Sequence, residues 1–355
     1  MAENLEHRLG EELKKAERRA EKAMEMALTP PQVEVGVTPH DVVYQENKLR
    51  LLHYHPVAEK VSPLPLLMVP AMINRYYVLD LKPGRSLVEY LLTRGVDVYM
   101  LDWGIPGPED RALTWDHYIS VYLHNVVRQV RKESRAEGVS LLGYCMGGTM
   151  TVIYTALHPG LVTNLITLTA PVNFHDEGLL SLWTKKEYFN VDKMVDVLGN
   201  VPPHVMQGAF MMLRPMGQLS KLVNLAEKLD DDEFVDLFFA IETWVNDNVP
   251  FPGEAFRKYV KDCYQENLLC QNRLKVNGRR VDLKKIACPL LIIAAAKDHI
   301  CPPDSAAVLR DLVSSHDKEA RILPGGHVGV VSGGAASRHL WPSLGDWLAA
   351  RSDRA

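Results

Sequence analysis

Short, largely apolar runs separated by helix-length segments constrain this chain more than any other feature. LPLLMVP (64–70), VDVYMLDW (96–103), VSLLGY (139–144), LVTNLITLTAP (161–171) and CPLLIIAAAK (288–297) lack a regular alternation of polar and apolar residues. A strand with water on one face alternates with period two, so runs of this kind predict strands buried on both faces. Helical stretches around Ser86–Arg94, from about Thr114 to Lys132 and from near Gly147 stand between them. Strand and helix in alternation predict a parallel sheet covered by helices on both sides, an α/β fold. A more amphipathic strand, KLRLLHYH (48–55), leads into it.

The alternation stops after Pro171. Residues 172–280 read as helices and Pro/Gly loops, with Met-rich and aromatic stretches such as GAFMMLRPM (208–216) and FVDLFFAIETWV (234–245). It resumes with CPLLIIAAAK, a helix near 303–314, EARILP (319–324) and a terminal helix over about 336–351. A mostly parallel sheet with a helical insertion before its last two strands is the layout of a capped α/β-hydrolase fold. The division expected is a catalytic core of 31–171 and 281–355, with 172–280 as cap. Residues 1–30 form a separate element, a charged helix whose apolar positions Leu9, Leu13, Ala16, Ala20, Ala23 and Ala27 step by four and three. Stripes made mostly of alanine form weak free coiled coils, and two uses stay open: packing on its own domain or docking a partner. Thr29-Pro30-Pro31 ends the helix and starts a linker.

Composition narrows the class. With 355 residues, 47% hydrophobic and net charge −4, the chain has no Lys/Arg block, so nucleic acid is not an expected partner. Its longest apolar run, LLIIAAA (290–296), is far short of the roughly 20 residues that span a bilayer, so no transmembrane segment is expected. The charged N-terminus lacks a signal-peptide core. Five scattered cysteines, never spaced CxxC, argue against a disulfide framework or a zinc site and fit a reducing cytoplasm.

The chemistry centres on Gly143-Tyr144-Cys145-Met146-Gly147-Gly148, between an expected strand and an expected helix. This is the pattern of a nucleophile elbow with cysteine in the serine's place. The glycines Gly143, Gly147 and Gly148 let neighbouring backbone pass without a Cβ clash, and the helix start aims free amides at the nucleophile. Two further residues extend it to a triad. Asp298 closes the strand LLIIAAAK and His327 follows the next strand in LPGGH, the nucleophile–acid–histidine order of α/β hydrolases. Oxyanion donors are expected from the Met146 N–H and from the loop after LPLLMVP, at Met72 or, one residue earlier, Ala71.

Other residues read as structural. Cys301, three positions past Asp298, has no elbow glycines, and His299 adjoins the acid but points away if the strand continues. His53 and His55 share a strand face at metal-like spacing, with no acidic or cysteine partner near them in the sequence. No metal or cofactor site is expected. The Met and aromatic residues of 208–245 read as cap core, some of them lining an apolar acyl tunnel.

A cysteine elbow suits acyl transfer. A thiolate attacking a thioester forms another thioester at nearly equal free energy, which an alcohol then converts to an oxyester, provided water is excluded. GYCMGGTM (143–150), AAKDHI around Asp298, PGGHVG around His327, the segment 69–107, PFPGEAFRKYVKDCYQEN (250–267) and RRVDLKKIACPLL (279–291) together resemble the polyhydroxyalkanoate synthases. The resemblance runs through roughly 35–352, and the length is similar to the short two-component types, class III and class IV. It implies polymerisation of (R)-3-hydroxyacyl-CoA, usually 3-hydroxybutyryl-CoA, into polyester with release of CoA, which is substrate and not cofactor. It further implies Cys145 as acyl carrier, His327 as base, and Asp298 orienting the base or assisting it. Also implied are a second, smaller subunit, homo-oligomerisation, and association with cytoplasmic polymer granules. The alternative on the same residues is a cysteine-type thioesterase or hydrolase.

Overall fold

The computed structural model describes residues 2–29 and 31–352. Eight strands form the central sheet: β1 (His40–Glu46), β2 (Leu49–Tyr54), β3 (Leu66–Val69), β4 (Val98–Asp102), β5 (Val139–Tyr144), β6 (Val162–Leu168), β7 (Leu290–Ala295) and β8 (Lys318–Leu323). Their spatial order is β1-β2-β4-β3-β5-β6-β7-β8. Only β1–β2 and β2–β4 pair antiparallel; the other neighbours are parallel. This is the α/β-hydrolase arrangement that the apolar runs predict. Every residue of β3, β4, β5 and β7 is buried, whereas the edge strand β8 is half exposed.

One strand goes beyond the sequence expectation. β1, at the other edge, folds back on β2 through a turn at Asn47, whose φ is 53°. Edge position leaves β1 without a continuous apolar face, so its sequence carries little strand signal.

Helices cover both faces. Leu87, Val88 and Leu91 of α2 (Leu87–Thr93) pack on one side with Leu340, Leu344 and Leu348 of a C-terminal helix, Ala336–Ala349. On the other side lie α3 (Leu123–Ser134) and α4 (Met146–Leu157). Between β6 and β7 the chain forms six helices from Leu179 to Tyr259, then a small hairpin, Lys275–Val276 with Arg279–Arg280. Asn277 and Gly278 turn that hairpin at positive φ, the geometry a two-residue connection requires.

The described part of the apolar stripe of the N-terminal helix α1 (Ala2–Leu28) is turned away from the body. Leu13, Ala16, Ala20 and Ala23 are exposed; the side chains of Leu9 and Ala27, and Pro30, lie outside the described residues. The partly buried positions are Lys15, Arg19, Lys22 and Met26. Arg19 pairs with Asp230 at 2.8 Å and Lys22 with Asp232. Among the described side chains, three basic residues and Met26 face the body, and two of the basic ones meet opposite charge there.

Asp80, almost fully buried, gathers the hydroxyls of Thr38, Ser86 and Tyr54 where α2 begins. Ser86 also caps α2, accepting from the Glu89 N–H at 3.0 Å. Ser86→Ala removes both bonds and is expected to destabilise the fold by about 1–3 kcal/mol, measured by urea unfolding.

Candidate active site

Cys145 sits between the C-terminal end of β5 and the first turn of α4 with φ 56° and ψ −129°. A non-glycine residue at positive φ is strained and persists only where its surroundings over-determine it. Here they do. A Cβ on Gly143 would lie 2.3 Å from the Gly148 Cα, one on Gly147 2.1 Å from the Val69 carbonyl oxygen, and one on Gly148 2.3 Å from the Ala170 Cβ. The elbow is therefore wedged between the ends of β3 and β6, and its amide is held by the Leu168 carbonyl at 2.9 Å. Strain extends to the neighbouring strand end, where Thr169 has φ 45°.

The two other sequence-predicted triad members meet at this elbow. Asp298 is buried and its Oδ2 stands 2.7 Å from His327 Nδ1. A carboxylate only accepts, so Nδ1 carries the proton and donates. The other carboxylate oxygen accepts the N–H groups of Ile300 at 2.8 Å and Cys301 at 2.9 Å, which fixes its plane. His327 also interacts with Cys145, and its backbone carbonyl accepts the Tyr144 hydroxyl at 3.2 Å. Burial opposes a charged imidazole. The interaction with Cys145, then that with Asp298, outweighs burial and pushes His327 up to about 10.

The expected oxyanion residues lie on either side of the nucleophile. Met146 opens α4, where a first-turn N–H has no partner within the helix. Met72 and Ala71 are both buried in the turn after β3, the segment whose Val69 and Pro70 carbonyls abut Gly147. The choice between those two donors stays as the sequence leaves it.

A cavity of about 300 Å³ opens from Cys145 into the helical insertion. Its wall is almost wholly apolar, with Ile73 and Met146 near the nucleophile and Phe189, Val205, Phe210 and Phe251 among the more distant side chains. Of the Met and aromatic residues in 208–245, only Phe210 reaches it; most of the lining comes from flanking helices. The sequence reading also missed two phenols in the same wall, the buried Tyr259 and the partly buried Tyr264.

The residues read as structural fall where packing puts them. Burial, with the nearby charges of Asp298 and Cys145, pushes the Cys301 thiol far above its ordinary range; its backbone N–H orients Asp298 instead. His299 is exposed. His53 and His55 do have acidic partners, contrary to the sequence expectation: Asp97 at 2.7 Å and Asp41 at 3.1 Å. Strand pairing brings in those carboxylates from β1 and from the segment before β4, and each imidazole has its own. Among the described residues no group of three or more His, Cys, Asp or Glu side chains is placed to hold a metal.

Comparison with known proteins gives a family to this geometry. A family model described as the alpha/beta hydrolase fold matches residues 65–334, and one described as the poly-beta-hydroxybutyrate polymerase (PhaC) N-terminus matches residues 6–91. The chain is 39% identical over 345 residues to the poly(3-hydroxyalkanoate) polymerase subunit PhaC of Allochromatium vinosum, covering 96% of this chain and 97% of that one. The corresponding protein of Haloferax mediterranei is 40% identical over 352 residues, 99% of this chain and 72% of that one. These matches extend the likeness to residues before 35, which the sequence motifs left out. A solved soluble variant of monoglyceride lipase from Saccharomyces cerevisiae superposes with a TM-score of 0.56, covering 91% of this chain and 98% of that one; at 14% identity the likeness concerns the fold alone.

Two outcomes follow from the geometry. Gly147→Ala forces a Cβ into the Val69 carbonyl and is expected to cost about 3 kcal/mol or more, read by thermal and urea unfolding. A folded-state imidazole value above the ordinary 6.5 or so means that the His327 charge stabilises the fold below that pH; the contribution is lost as pH rises toward about 10. Cys145→Ala removes the largest raising influence, so the His327 titration midpoint, followed by NMR of the ring protons, is expected to move down.

Proposed function

Because the chain belongs to the poly(3-hydroxyalkanoate) polymerase family of the α/β-hydrolase fold, we propose that it polymerises (R)-3-hydroxyacyl-CoA, with 3-hydroxybutyryl-CoA as the working substrate, through a thioester on Cys145. The observation that carries the reading is a cysteine elbow beside a hydrogen-bonded His–Asp pair, opening on an apolar cavity.

In the proposed cycle the Cys145 sulfur attacks the carbonyl carbon of the CoA thioester. The oxygen becomes negative and is met by the Met146 N–H and an N–H of the 71–72 turn. The bond to the CoA sulfur then breaks, and His327 gives that sulfur its proton. A hydroxyl, from a monomer or a chain end, next attacks the Cys145 thioester. His327 takes the hydroxyl proton, Cys145 leaves as thiolate, and an ester bond remains. Asp298 holds the His327 ring and balances its charge throughout. Acylation is close to isoenergetic and ester formation runs downhill, so the partition between transfer and hydrolysis is set by access of water. Segment 172–280 serves as the cap that restricts that access, and the apolar cavity it walls holds the acyl chain.

The relatives' names call each of them a subunit. A second subunit is accordingly part of the proposal, as are self-association and attachment to the surface of the growing polymer. Among the described residues no helix is long and apolar enough to cross a membrane, so such attachment would be peripheral.

The test is incubation of the purified chain with 3-hydroxybutyryl-CoA, alone and with a candidate second subunit. Release of CoA together with insoluble polyester is expected; free 3-hydroxybutyrate as the only product would overturn the polymerase reading in favour of a thioesterase. Cys145→Ala is expected to abolish CoA release with the fold intact, and Cys145→Ser to be severely impaired, since a hydroxyl ionises far less readily than a thiol. His327→Gln should slow acylation by roughly 10²–10⁴-fold; an unchanged rate would remove it from the mechanism.

A further inference from the structure

The helix Gly253–Tyr259 runs directly into a wider turn, Val260–Gln265, in which the Glu266 N–H reaches the Lys261 carbonyl at 3.0 Å, five residues back. Such π-turns give up regular helix geometry and gather at functional sites. Here the consequence is local and visible. At 3.6 residues per turn, side chains five apart point about 140° away from each other. The extra residue in the turn closes that angle and brings Tyr259 and Tyr264 to the same cavity, with ring centroids 5.6 Å apart. Phe174 packs edge-on against both rings, at 5.7 Å and 4.9 Å, and fixes the pair.

These phenols stand out from the rest of the wall. Among the side chains lining the cavity only Cys145, Trp183, Thr184 and the two tyrosines carry polar hydrogens, and Thr184 donates to the Leu180 carbonyl at 2.6 Å. The two phenols stand close enough to act on each other's ionisation, and neither has another side-chain hydrogen-bond partner among the described residues. Two hydroxyls carry two protons, and one bond between them uses one. The remaining proton is a donor in a cavity whose wall is otherwise almost wholly apolar. Burial and the neighbourhood of Cys145 raise both groups and keep them protonated, and Tyr264, partly buried where Tyr259 is buried, is the more open of the two.

We infer that Tyr264, oriented by Tyr259, donates a hydrogen bond to the oxygen on carbon 3 of the acyl group carried by Cys145, and so selects 3-oxygenated acyl thioesters over plain alkanoyl ones. That oxygen is a hydroxyl in a first unit and an ester oxygen in a growing chain, and it accepts in both. A binding site that offers a buried donor discriminates against an analogue lacking the acceptor, because the donor is then left unpaired. No covalent step is assigned to either tyrosine. The inference rests on the reading that Cys145 is acylated by CoA thioesters.

The test compares single-turnover CoA release from 3-hydroxybutyryl-CoA and from butyryl-CoA, using the full chain. Wild type is expected to favour the hydroxylated substrate. Tyr264→Phe should reduce that preference roughly 3–10-fold, the loss falling on the 3-hydroxybutyryl arm. Tyr259→Phe, which frees the orientation of Tyr264 without removing its hydroxyl, should reduce it less, and it serves if Tyr264→Phe fails to fold. A wild-type ratio retained in the folded variants would sink this inference alone. A wild type that releases CoA from neither substrate would sink the acyl-enzyme reading and this inference with it.

Discussion

At the elbow three glycines allow backbone to meet backbone, and the remainder of the site hangs from that contact. Gly143 and Gly148 close on each other, while Gly147 closes on the end of β3. Without Cβ atoms in the way, β5, α4 and the β3 turn come within van der Waals distance, and Cys145 is forced to a φ of 56°. The strain that this conformation stores is repaid by burial of two complete helix faces against the sheet. The same contact sets the oxyanion candidates on either side of one sulfur.

Electrostatics then follow from position. β7 and β8 are parallel neighbours, so the loops leaving them emerge side by side, and Asp298 and His327 meet although 29 residues separate them. Two backbone amides anchor the carboxylate, the carboxylate anchors the ring, and the ring is buried beside Cys145. In such surroundings an isolated charge is costly, and the three groups are tolerable only together. In the proposed mechanism this mutual dependence keeps the proton within the pair between turnovers.

How far all this was legible in the sequence depended on the range of the interactions. The sheet was legible because burial on both faces writes itself into each strand as an unbroken apolar run. Gly143, Cys145, Gly147 and Gly148 were legible because the elbow is a local conformation with a local spacing. Asp298 and His327 were legible through their place after strands, which the fold constrains. The partners of His53 and His55 were hidden, because Asp97 and Asp41 arrive through strand pairing and lie far away in sequence. The seating of α1 was hidden for a related reason: heptad spacing describes a face, and the ion pairs of that helix are made with Asp230 and Asp232, far away in sequence. The pairing of Tyr259 with Tyr264 was the hardest to see, since an ordinary helix would have set them on different faces.

That last failure bears on how a cap and a catalytic core act as one site. The strands deliver the groups that make and break bonds, and strand ends are rigid and closely specified by pairing. The wall of the cavity comes from helices, where a single wide turn re-aims a side chain without moving the element. On the proposed reading, chemistry and selectivity are set by different parts of the chain, one fixed by the sheet and the other by the pitch of one helix. Because the two tyrosines share the cavity with Cys145, a change of helix pitch at Val260–Gln265 would alter what the nucleophile accepts while leaving the nucleophile, its histidine and its acid untouched.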